Sequence, residues 1–392
     1  MTIVPSERLS SIGAYAFAEV DRQVEEFKKK GIHPIDFGVG DPTIPTPAFI
    51  REACKKAIDL RATSGYPSYI GSREFRTAVA GWMKKRFAVD YNPDSEIAST
   101  IGSKEAVFNI AEGFVNPGEV VLVPSPGYPP YQRGTLFAEG KSYFIPLLKQ
   151  NDYLLDLDSI PNPIRKKAKI LWLNYPNSPT GKIAPPQYLK KVIEFCHKHG
   201  IIILSDEAYT EIYFKEKPHS ILEYTRDGVA AIFSLSKRSA MTGYRVGWIA
   251  GDKQLISIFK KIKTNIDSGT PTFIQDAAIA ALSDESHVEE MRKSYEQKRD
   301  ILVKSLIKAG LSDCTPEATL YLWQKVPNGY TSLEFAKKLL SPDIAIVTTP
   351  GSWLGDENRQ LKNAGEGYVR FALVPDLAST QLAANRIQNI KF

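Results

Sequence analysis

Five short, apolar, β-rich runs between residues 119 and 252 constrain the fold of this chain most. They are EVVLVP (119–124), AKILWLNY (168–175), GIIILSDE (200–207), VAAIFSLS (229–236) and RVGWIAGD (245–252). Helical patterns such as PPYQRGTLFAEG and PPQYLKKVIEFCHKHG separate the first three runs. Strands that alternate with helices indicate βαβ units, and runs that are apolar throughout favour strands covered on both faces. The sequence therefore predicts an α/β fold with a mostly parallel sheet.

The pattern changes from about residue 285. The stretch DESHVEEMRKSYEQKRDILVKSLIKAG predicts one long charged helix. The later runs ATLYLWQKV, DIAIVTTP and GYVRFALV favour strands of a smaller α+β unit, and the first 45 residues are expected to pack against it. We predict a large domain over 46–284 and a discontinuous small domain formed by 1–45 and 285–392.

Composition excludes several classes of protein. No apolar run approaches the roughly 20 residues that span a bilayer, and the first 20 residues have no basic region followed by an apolar core. The three cysteines are far apart, which argues against disulfides and a zinc site and favours a cytoplasmic location. The net charge of +6 comes from short lysine groups typical of solvated helix faces, so neither nucleic acid nor membrane is an expected partner. The HKH segment at 197–199 is interpreted as complementing a helix dipole, and no metal is expected.

Polar clusters follow the predicted strands at the points where ligands gather in parallel sheets. Asp206 lies near the polar end of the run at 200–207, with Tyr209 three residues after it, and Lys237 follows the run at 229–236. The segment PNSPTG comes after AKILWLNY, and GSKEA (102–106) forms a glycine turn that enters a helix, where an anion can bind. These side chains are therefore expected to share one site.

Lys237 and Arg245 are two cations in one short motif, SLSKRSAMTGYRVGW. They repel each other unless an anion lies between them or one amine is masked. A phosphate beside Arg245 would account for the first condition, and a Schiff base on Lys237 for the second. A buried carboxylate at Asp206 could keep a pyridine nitrogen protonated. Phosphate, aldehyde and pyridinium together describe pyridoxal 5′-phosphate.

The motifs at these positions are similar to those of the fold-type-I, class I/II aminotransferases, which are PLP-dependent transferases, and the match covers nearly the whole chain. SLSK followed by MTGYRVG resembles the lysine motif of that family, and SDEAY resembles its pyridine-nitrogen motif. NYPNSPTGK, PGYPPY and GYVRFAL resemble its Asn-Pro-Thr-Gly, ring-stacking and substrate-carboxylate segments. The resemblance implies a transaminase that moves an amino group from an amino acid to 2-oxoglutarate by ping-pong kinetics.

The resemblance also implies a role for each matching residue. Lys237 would carry the cofactor as an imine and then shuttle the substrate proton, and Asp206 would pair with the pyridine nitrogen. Tyr209 and Asn177 would hydrogen-bond the phenolic oxygen of the ring. Ser178 stands where most relatives have a second asparagine, which leaves open whether Asn177 or Ser178 faces the cofactor. The residues expected to stack on the ring or surround the phosphate are Tyr128, Ser103, Lys104, Ser234, Ser236 and Arg245.

Three further residues are implied to bind substrate or to complete the site in a dimer. Arg370 would bind the substrate α-carboxylate bidentately, and Gly40 in FGVGDP would let the substrate approach the backbone. Tyr66 resembles the tyrosine that reaches the phosphate of a neighbouring subunit. The resemblance therefore implies a homodimer with shared active sites.

A narrower resemblance is to the branch of that family that acts on LL-diaminopimelate in lysine biosynthesis. It is carried by GAYAFAEV and by YPSYIGSREFRTAVAGWMKKRF, and it makes Tyr15 a candidate substrate contact. The SKRS segment, with Arg238 and Ser239, is unlike that branch and is similar to N-succinyl-diaminopimelate transaminases. Aspartate or alanine as donor, or a PLP carbon–sulfur lyase or decarboxylase, stays an alternative. A DNA-binding regulator would need an added domain for which the first 45 residues offer no room, and a dinucleotide-binding dehydrogenase lacks the GxGxxG motif.

Overall fold

The computed structural model describes residues 2–13, 18–356 and 362–390. Tyr15, the candidate substrate contact, lies outside the described residues.

Twelve strands are assigned in the described part of the chain. They are β1 (Ile35–Asp36), β2 (Ile97–Thr100), β3 (Val120–Ser125), β4 (Lys141–Pro146), β5 (Ala168–Leu173), β6 (Ile202–Asp206), β7 (Val229–Ser234), β8 (Gly247–Gly251), β9 (Tyr321–Lys325), β10 (Ile346–Val347), β11 (Thr349–Pro350) and β12 (Tyr368–Ala372). The five predicted runs between 119 and 252 are all strands, each no longer than the run that predicted it.

The α-helices lie between these strands and at both ends of the described chain. They are α1 (Glu7–Ser10), α2 (Ala18–Lys29), α3 (Ala48–Leu60), α4 (Arg73–Phe87), α5 (Ser103–Asn109), α6 (Pro129–Phe137), α7 (Asn162–Arg165), α8 (Pro186–His199), α9 (Leu235–Arg238), α10 (Lys253–Ile266), α11 (Thr272–Ser283), α12 (Ser286–Lys308), α13 (Ser332–Leu339) and α14 (Leu377–Ile387). Side-chain caps begin several of them: Ser72 accepts a bond from the Phe75 amide at α4, and Asp252 caps α10.

The large sheet has seven strands in the order β2-β8-β7-β6-β5-β3-β4. The pairs β4–β3, β3–β5, β5–β6 and β6–β7 are parallel, and β8 is antiparallel to both of its neighbours, β2 and β7. The prediction of a mostly parallel α/β sheet is confirmed. Parallel pairing brings the carboxyl ends of β3, β5, β6 and β7 to one edge of the sheet.

Both faces of this sheet are buried, as the uninterrupted apolar runs predicted. Ile203 packs into one hydrophobic cluster and its neighbour Leu204 into another, because successive side chains of a strand point to opposite faces. Along β7, residues 229, 231 and 233 join the first cluster, whereas 230 and 232 join the second. Helices on both sides therefore cover the sheet, and its carboxyl edge is left for ligands.

A smaller unit is built on the three-stranded antiparallel sheet β11-β12-β9 and the parallel pair β1–β10. The long charged helix predicted after residue 284 is α12. Ile35 and Phe37 belong to the same buried cluster as Leu302 and Phe371, so the segment around β1 packs against the C-terminal part of the chain. The boundaries at 45/46 and 284/285 stay a prediction. No helix in the described ranges is long and apolar enough to cross a bilayer.

Candidate active site

A cavity of about 480 Å³ lies at the carboxyl edge of the large sheet and is closed on its other side by the small unit. The loops after β3, β5 and β7 and the end of β6 form one wall, and β9, β12 and the loop after β1 form the other. Most of the predicted site residues line it: Gly40, Ser103, Lys104, Tyr128, Asp206, Tyr209, Ser234, Ser236, Lys237, Arg245 and Arg370. The structure thus brings together residues from both ends of the sequence.

Lys237 lies in the short helix α9, directly after β7. Its Nζ donates a hydrogen bond to the Gly40 carbonyl, which belongs to the opposite wall. Burial lowers the pKa of the Lys237 amine; Tyr321 and Asp41 oppose this shift, and the nearby cations Arg370 and Arg245 add to it. A lowered pKa increases the share of free amine at neutral pH, which is the form that attacks carbonyl carbon.

Asp206 ends β6 and its side chain is buried in the cavity wall. The Tyr131 hydroxyl donates to Asp206 Oδ2 at 2.7 Å, and the amide of Ala208 donates to Oδ1 at 3.3 Å. Burial raises the pKa of this carboxyl to about 6, while the Tyr131 hydrogen bond opposes the rise. A cationic ring nitrogen placed against Asp206 would relieve the desolvation and keep the carboxylate ionised.

Tyr131 is a site residue that the sequence reasoning missed. Its ring stacks on Trp172 with centroids 4.7 Å apart, and this packing aims the hydroxyl at Asp206. The only signal was its position within PGYPPY, three residues after Tyr128.

Glu207, the neighbour of Asp206, points away from the cavity and into the protein. Its Oε1 accepts bonds from the Ser205 hydroxyl at 2.9 Å and the Ile221 amide at 3.1 Å, and its Oε2 is buried without a partner in the described chain. Burial raises the pKa of Glu207 to about 7. Its folded-state pKa lies above its unfolded value, so the stability it contributes is complete at low pH and is lost as pH rises through about 7.

Replacing Glu207 by glutamine should therefore stabilise the folded protein against unfolding more at high pH than at low pH. Glutamine resembles the neutral acid. We therefore expect the free energy of unfolding of the variant, relative to that of the wild type, to rise by about 2 to 3 kcal/mol between pH 5 and pH 8. Urea unfolding of both proteins at the two pH values measures this difference. Asp206 titrates in both proteins and cancels in the comparison. A difference in free energy that does not change with pH would contradict the prediction.

Arg245 lies in the loop between β7 and β8, with φ +55°, and its Nη1 donates to the Thr242 carbonyl at 2.7 Å. Its guanidinium lies directly against Gly102, where an added Cβ would clash with Nη2. Gly102 has φ +68°, a backbone conformation that favours glycine, and a side chain there would also displace the guanidinium. The cavity wall around this guanidinium also carries the hydroxyl residues Ser103, Ser234 and Ser236.

Arg370 projects from β12 into the opposite side of the cavity. Its Nη2 donates to the Gly38 carbonyl at 3.0 Å and to Thr349 Oγ1 at 3.3 Å. Its Nε is buried and has no acceptor in the described chain. A buried N–H without an acceptor costs about 1 to 3 kcal/mol, and a carboxylate ligand would remove that cost.

The Asn-Pro-Thr-Gly segment is arranged differently from the expectation. Asn177 does not line the cavity: its Oδ1 accepts bonds from the amide and hydroxyl of Thr180, and its Nδ2 donates to the Asn174 carbonyl. Both polar atoms of the Asn177 amide group are therefore bonded within the turn. Ser178 and Asn174 line the cavity instead, and Asn174 Oδ1 holds the Ser178 amide at 2.9 Å.

Two other sequence features also lie away from the cavity. Tyr66 is 86% exposed and is not brought to the cavity within the single chain. The Arg238 side chain is buried and turns away, donating to Glu285 near the start of α12 and to the Ala281 carbonyl. The SKRS segment therefore differs from the LL-diaminopimelate branch at a residue that packs between helices.

A family profile described as Aminotransferase class I and II matches residues 32–383. The chain belongs to the class I and II aminotransferase family. This aminotransferase is 45% identical over 393 residues to the LL-diaminopimelate aminotransferase of Aquifex aeolicus, a match that covers 99% of each chain.

Solved structures agree with this assignment. The aminotransferase superposes on substrate-bound BacF from Bacillus subtilis with a TM-score of 0.92 and 32% identity, covering 99% of this chain and 98% of that one. A probable N-succinyldiaminopimelate aminotransferase from Thermus thermophilus gives a TM-score of 0.88 at 29% identity, covering 96% and 100% of the two chains. The expected fold type I, an α/β architecture with a mostly parallel sheet, is confirmed.

Proposed function

We propose that this aminotransferase binds pyridoxal 5′-phosphate through Lys237 and transfers the amino group of LL-diaminopimelate to 2-oxoglutarate. The observation that carries the proposal is one cavity that holds a lysine of lowered pKa, a buried carboxylate and an arginine with an unpaired buried N–H. These groups match the aldehyde and the ring nitrogen of the cofactor and the α-carboxylate of an amino acid.

The residues of the cavity fit the cofactor group by group. Asp206 would hold the pyridine nitrogen, Tyr128 would cover the ring face, and Tyr209 with Ser178 would face the phenolic oxygen. The phosphate would lie among Arg245 and the residues Ser103, Lys104, Ser234 and Ser236. When bound, the cofactor supplies an aldehyde that condenses with amines and a ring that accepts the electrons of the bond being broken.

The side chains of the protein then position the substrate and move one proton. Arg370 holds the α-carboxylate, so that the α-hydrogen points toward Lys237; such positioning is worth several kcal/mol. The Lys237 amine, once released from the cofactor, would take that proton from the α-carbon on its Nζ and return it to C4′ of the cofactor. The Gly40 carbonyl, which accepts a hydrogen bond from the same Nζ, keeps the lysine in place between the two walls.

LL-diaminopimelate is the donor that the comparisons favour. Relatives of that name are 41–45% identical over almost the whole chain, whereas the N-succinyldiaminopimelate relative is 29% identical. The SKRS segment, which suggested the N-succinyl donor, places Arg238 against Glu285 and outside the cavity lining. Arg238 and Ser239, the two residues of that segment that argued for the second donor, thus do not line the proposed site.

A panel of amino donors tests the proposal. LL-diaminopimelate, N-succinyl-diaminopimelate, aspartate, alanine and glutamate are added separately to the PLP-loaded enzyme, and the absorbance of the lysine-linked cofactor is followed. We expect LL-diaminopimelate to bleach it at the lowest concentration, with keto acid formed in proportion to the acceptor 2-oxoglutarate. Lack of response to LL-diaminopimelate would refute the donor, and more than one equivalent of keto acid per active site without an acceptor would indicate a lyase.

We also propose that the enzyme works in the cytoplasm as a homodimer with shared active sites. Tyr66 is 86% exposed, and Leu60 and Ile266 are exposed apolar residues at 76% and 52%. A second copy would cover exposed apolar side chains of this kind and accept Tyr66 at its phosphate site. The mass of the native protein in solution tests the dimer.

A further inference from the structure

Tyr321 lines the cavity and contacts three of the proposed functional groups, although no sequence motif singled it out. It is 4% exposed and lies at the start of β9, which pairs with β12. The register pairs Arg370 with Trp323, so Tyr321 is the diagonal neighbour of Arg370 on the same face of the sheet. This register places the aromatic ring of Tyr321 beside Arg370, the arginine proposed to bind the substrate carboxylate.

The ring of Tyr321 supports the Arg370 guanidinium. Arg370 Cζ lies 4.5 Å from the centroid of that ring, within the range of a cation–π interaction. One N–H group of the guanidinium bonds the Gly38 carbonyl, so the ring and the backbone together restrict its orientation. A restricted guanidinium loses less entropy when a carboxylate binds to it.

The hydroxyl of Tyr321 contacts Tyr209, the tyrosine proposed to face the cofactor ring. Tyr321 Oη and Tyr209 Oη are 3.0 Å apart, with the two rings edge-on at 5.6 Å. Gly40 lies close to the same hydroxyl, since a Cβ added at Gly40 would clash with it. Tyr321 therefore has little room to move, and it fixes the position of the Tyr209 hydroxyl.

We propose that Tyr321 is a positioning residue that sets Arg370 and Tyr209 relative to each other, its ring acting on the first and its hydroxyl on the second. This inference rests on the proposed function.

When Tyr209 donates its proton to the phenolic oxygen of the cofactor, its oxygen is left to accept the proton of Tyr321. Hydrogen bonds in such a chain strengthen one another, so Tyr321 makes Tyr209 a better donor. That donor stabilises the unprotonated form of the cofactor–lysine linkage and lowers the pKa of the linkage.

Two substitutions separate the hydroxyl from the ring. Tyr321→Phe keeps the ring and should raise the pH midpoint of the linkage absorbance by about half a unit, with succinate binding changed by less than about twofold. Tyr321→Leu removes both groups and should also weaken binding of succinate, used as a carboxylate probe, by about fivefold. Calorimetry measures succinate binding, and an absorbance titration measures the linkage pKa.

Tyr188→Phe is the matched control. Tyr188 is a partly buried tyrosine outside the cavity lining whose hydroxyl bonds the Leu155 carbonyl at 3.1 Å, so its loss costs a hydrogen bond of similar kind. Neither the midpoint nor succinate binding should change in this variant. Midpoints equal to wild type in both Tyr321 variants, or succinate bound equally by the Phe and Leu variants, would overturn the inference. A wild-type protein without any linkage absorbance would refute the proposed function instead. In that case the succinate affinities of the wild type and the two Tyr321 variants, measured by calorimetry, would still test whether the Tyr321 ring supports Arg370.

Discussion

Replacing Lys237 by alanine is expected to lower transamination by about four orders of magnitude or more. The substitution removes the amine that is proposed to anchor the cofactor and to move the α-proton, and a positioned base alone contributes about 10² to 10⁴ in rate. Among the described residues that line the cavity, the other amine is Lys104, at the start of α5, where it is expected beside the phosphate. Single-turnover kinetics with LL-diaminopimelate and 2-oxoglutarate measures the loss.

Lys191→Ala serves as the control for the lysine variant. Lys191 is exposed on α8, pairs with Asp158 at 2.7 Å and does not line the cavity, so its loss should leave turnover unchanged. Borohydride treatment of the wild type, followed by peptide mapping, locates the covalent linkage independently. Full turnover in Lys237→Ala, or a label on a peptide that does not contain position 237, would refute the role proposed for this lysine.

Replacing Arg370 by alanine is expected to lower kcat/KM by about two to three orders of magnitude. Truncating one partner of a buried, hydrogen-bonded charge pair costs about 2 to 5 kcal/mol, and here the lost partner is proposed to hold the carboxylate of both substrates. The KM values for amino donor and keto acid should therefore rise together. Arg370→Lys should fall between wild type and alanine, because lysine keeps the charge but cannot bind a carboxylate through two parallel hydrogen bonds.

Arg386→Ala is a matched control for this variant. Arg386 also donates to backbone carbonyls, those of Ile344 and Ala345, but it does not line the cavity. Its loss should leave both KM values close to wild type. An Arg370→Ala enzyme with unchanged KM and kcat would show that another group binds the carboxylate.

The α/β class could be predicted because it depends on local pattern. Runs such as 200–207 are apolar at nearly every position before their polar end, and a strand of that kind is stable only when helices cover both faces of its sheet. The polar residues that follow these runs, Asp206 and Lys237 among them, could be assigned to one site for a related reason, since parallel strands end at a common edge.

The residues that were missed or misplaced depend on contacts between distant segments. Tyr131 acts through stacking on Trp172, and Tyr321 acts through the register of β9 against β12. Asn177 and Ser178 are adjacent, and only the hydrogen bonds of the turn decide which one faces the cavity. None of these relations has a signature in a single motif.

The sequence by itself determined that the chain forms a parallel sheet covered on both faces. It also determined that Lys237, Asp206 and Arg245 meet at the carboxyl edge of that sheet. Both results follow from strand periodicity and strand direction, which act over a few residues. The tertiary structure decided how the two walls of the cavity face each other. It places the Gly40 carbonyl on Lys237 and the Tyr321 ring under Arg370, contacts that join segments distant in the sequence. The first contact arises only when the small unit closes on the large sheet, and the second only when β9 pairs with β12 in register, and no local pattern encodes either event.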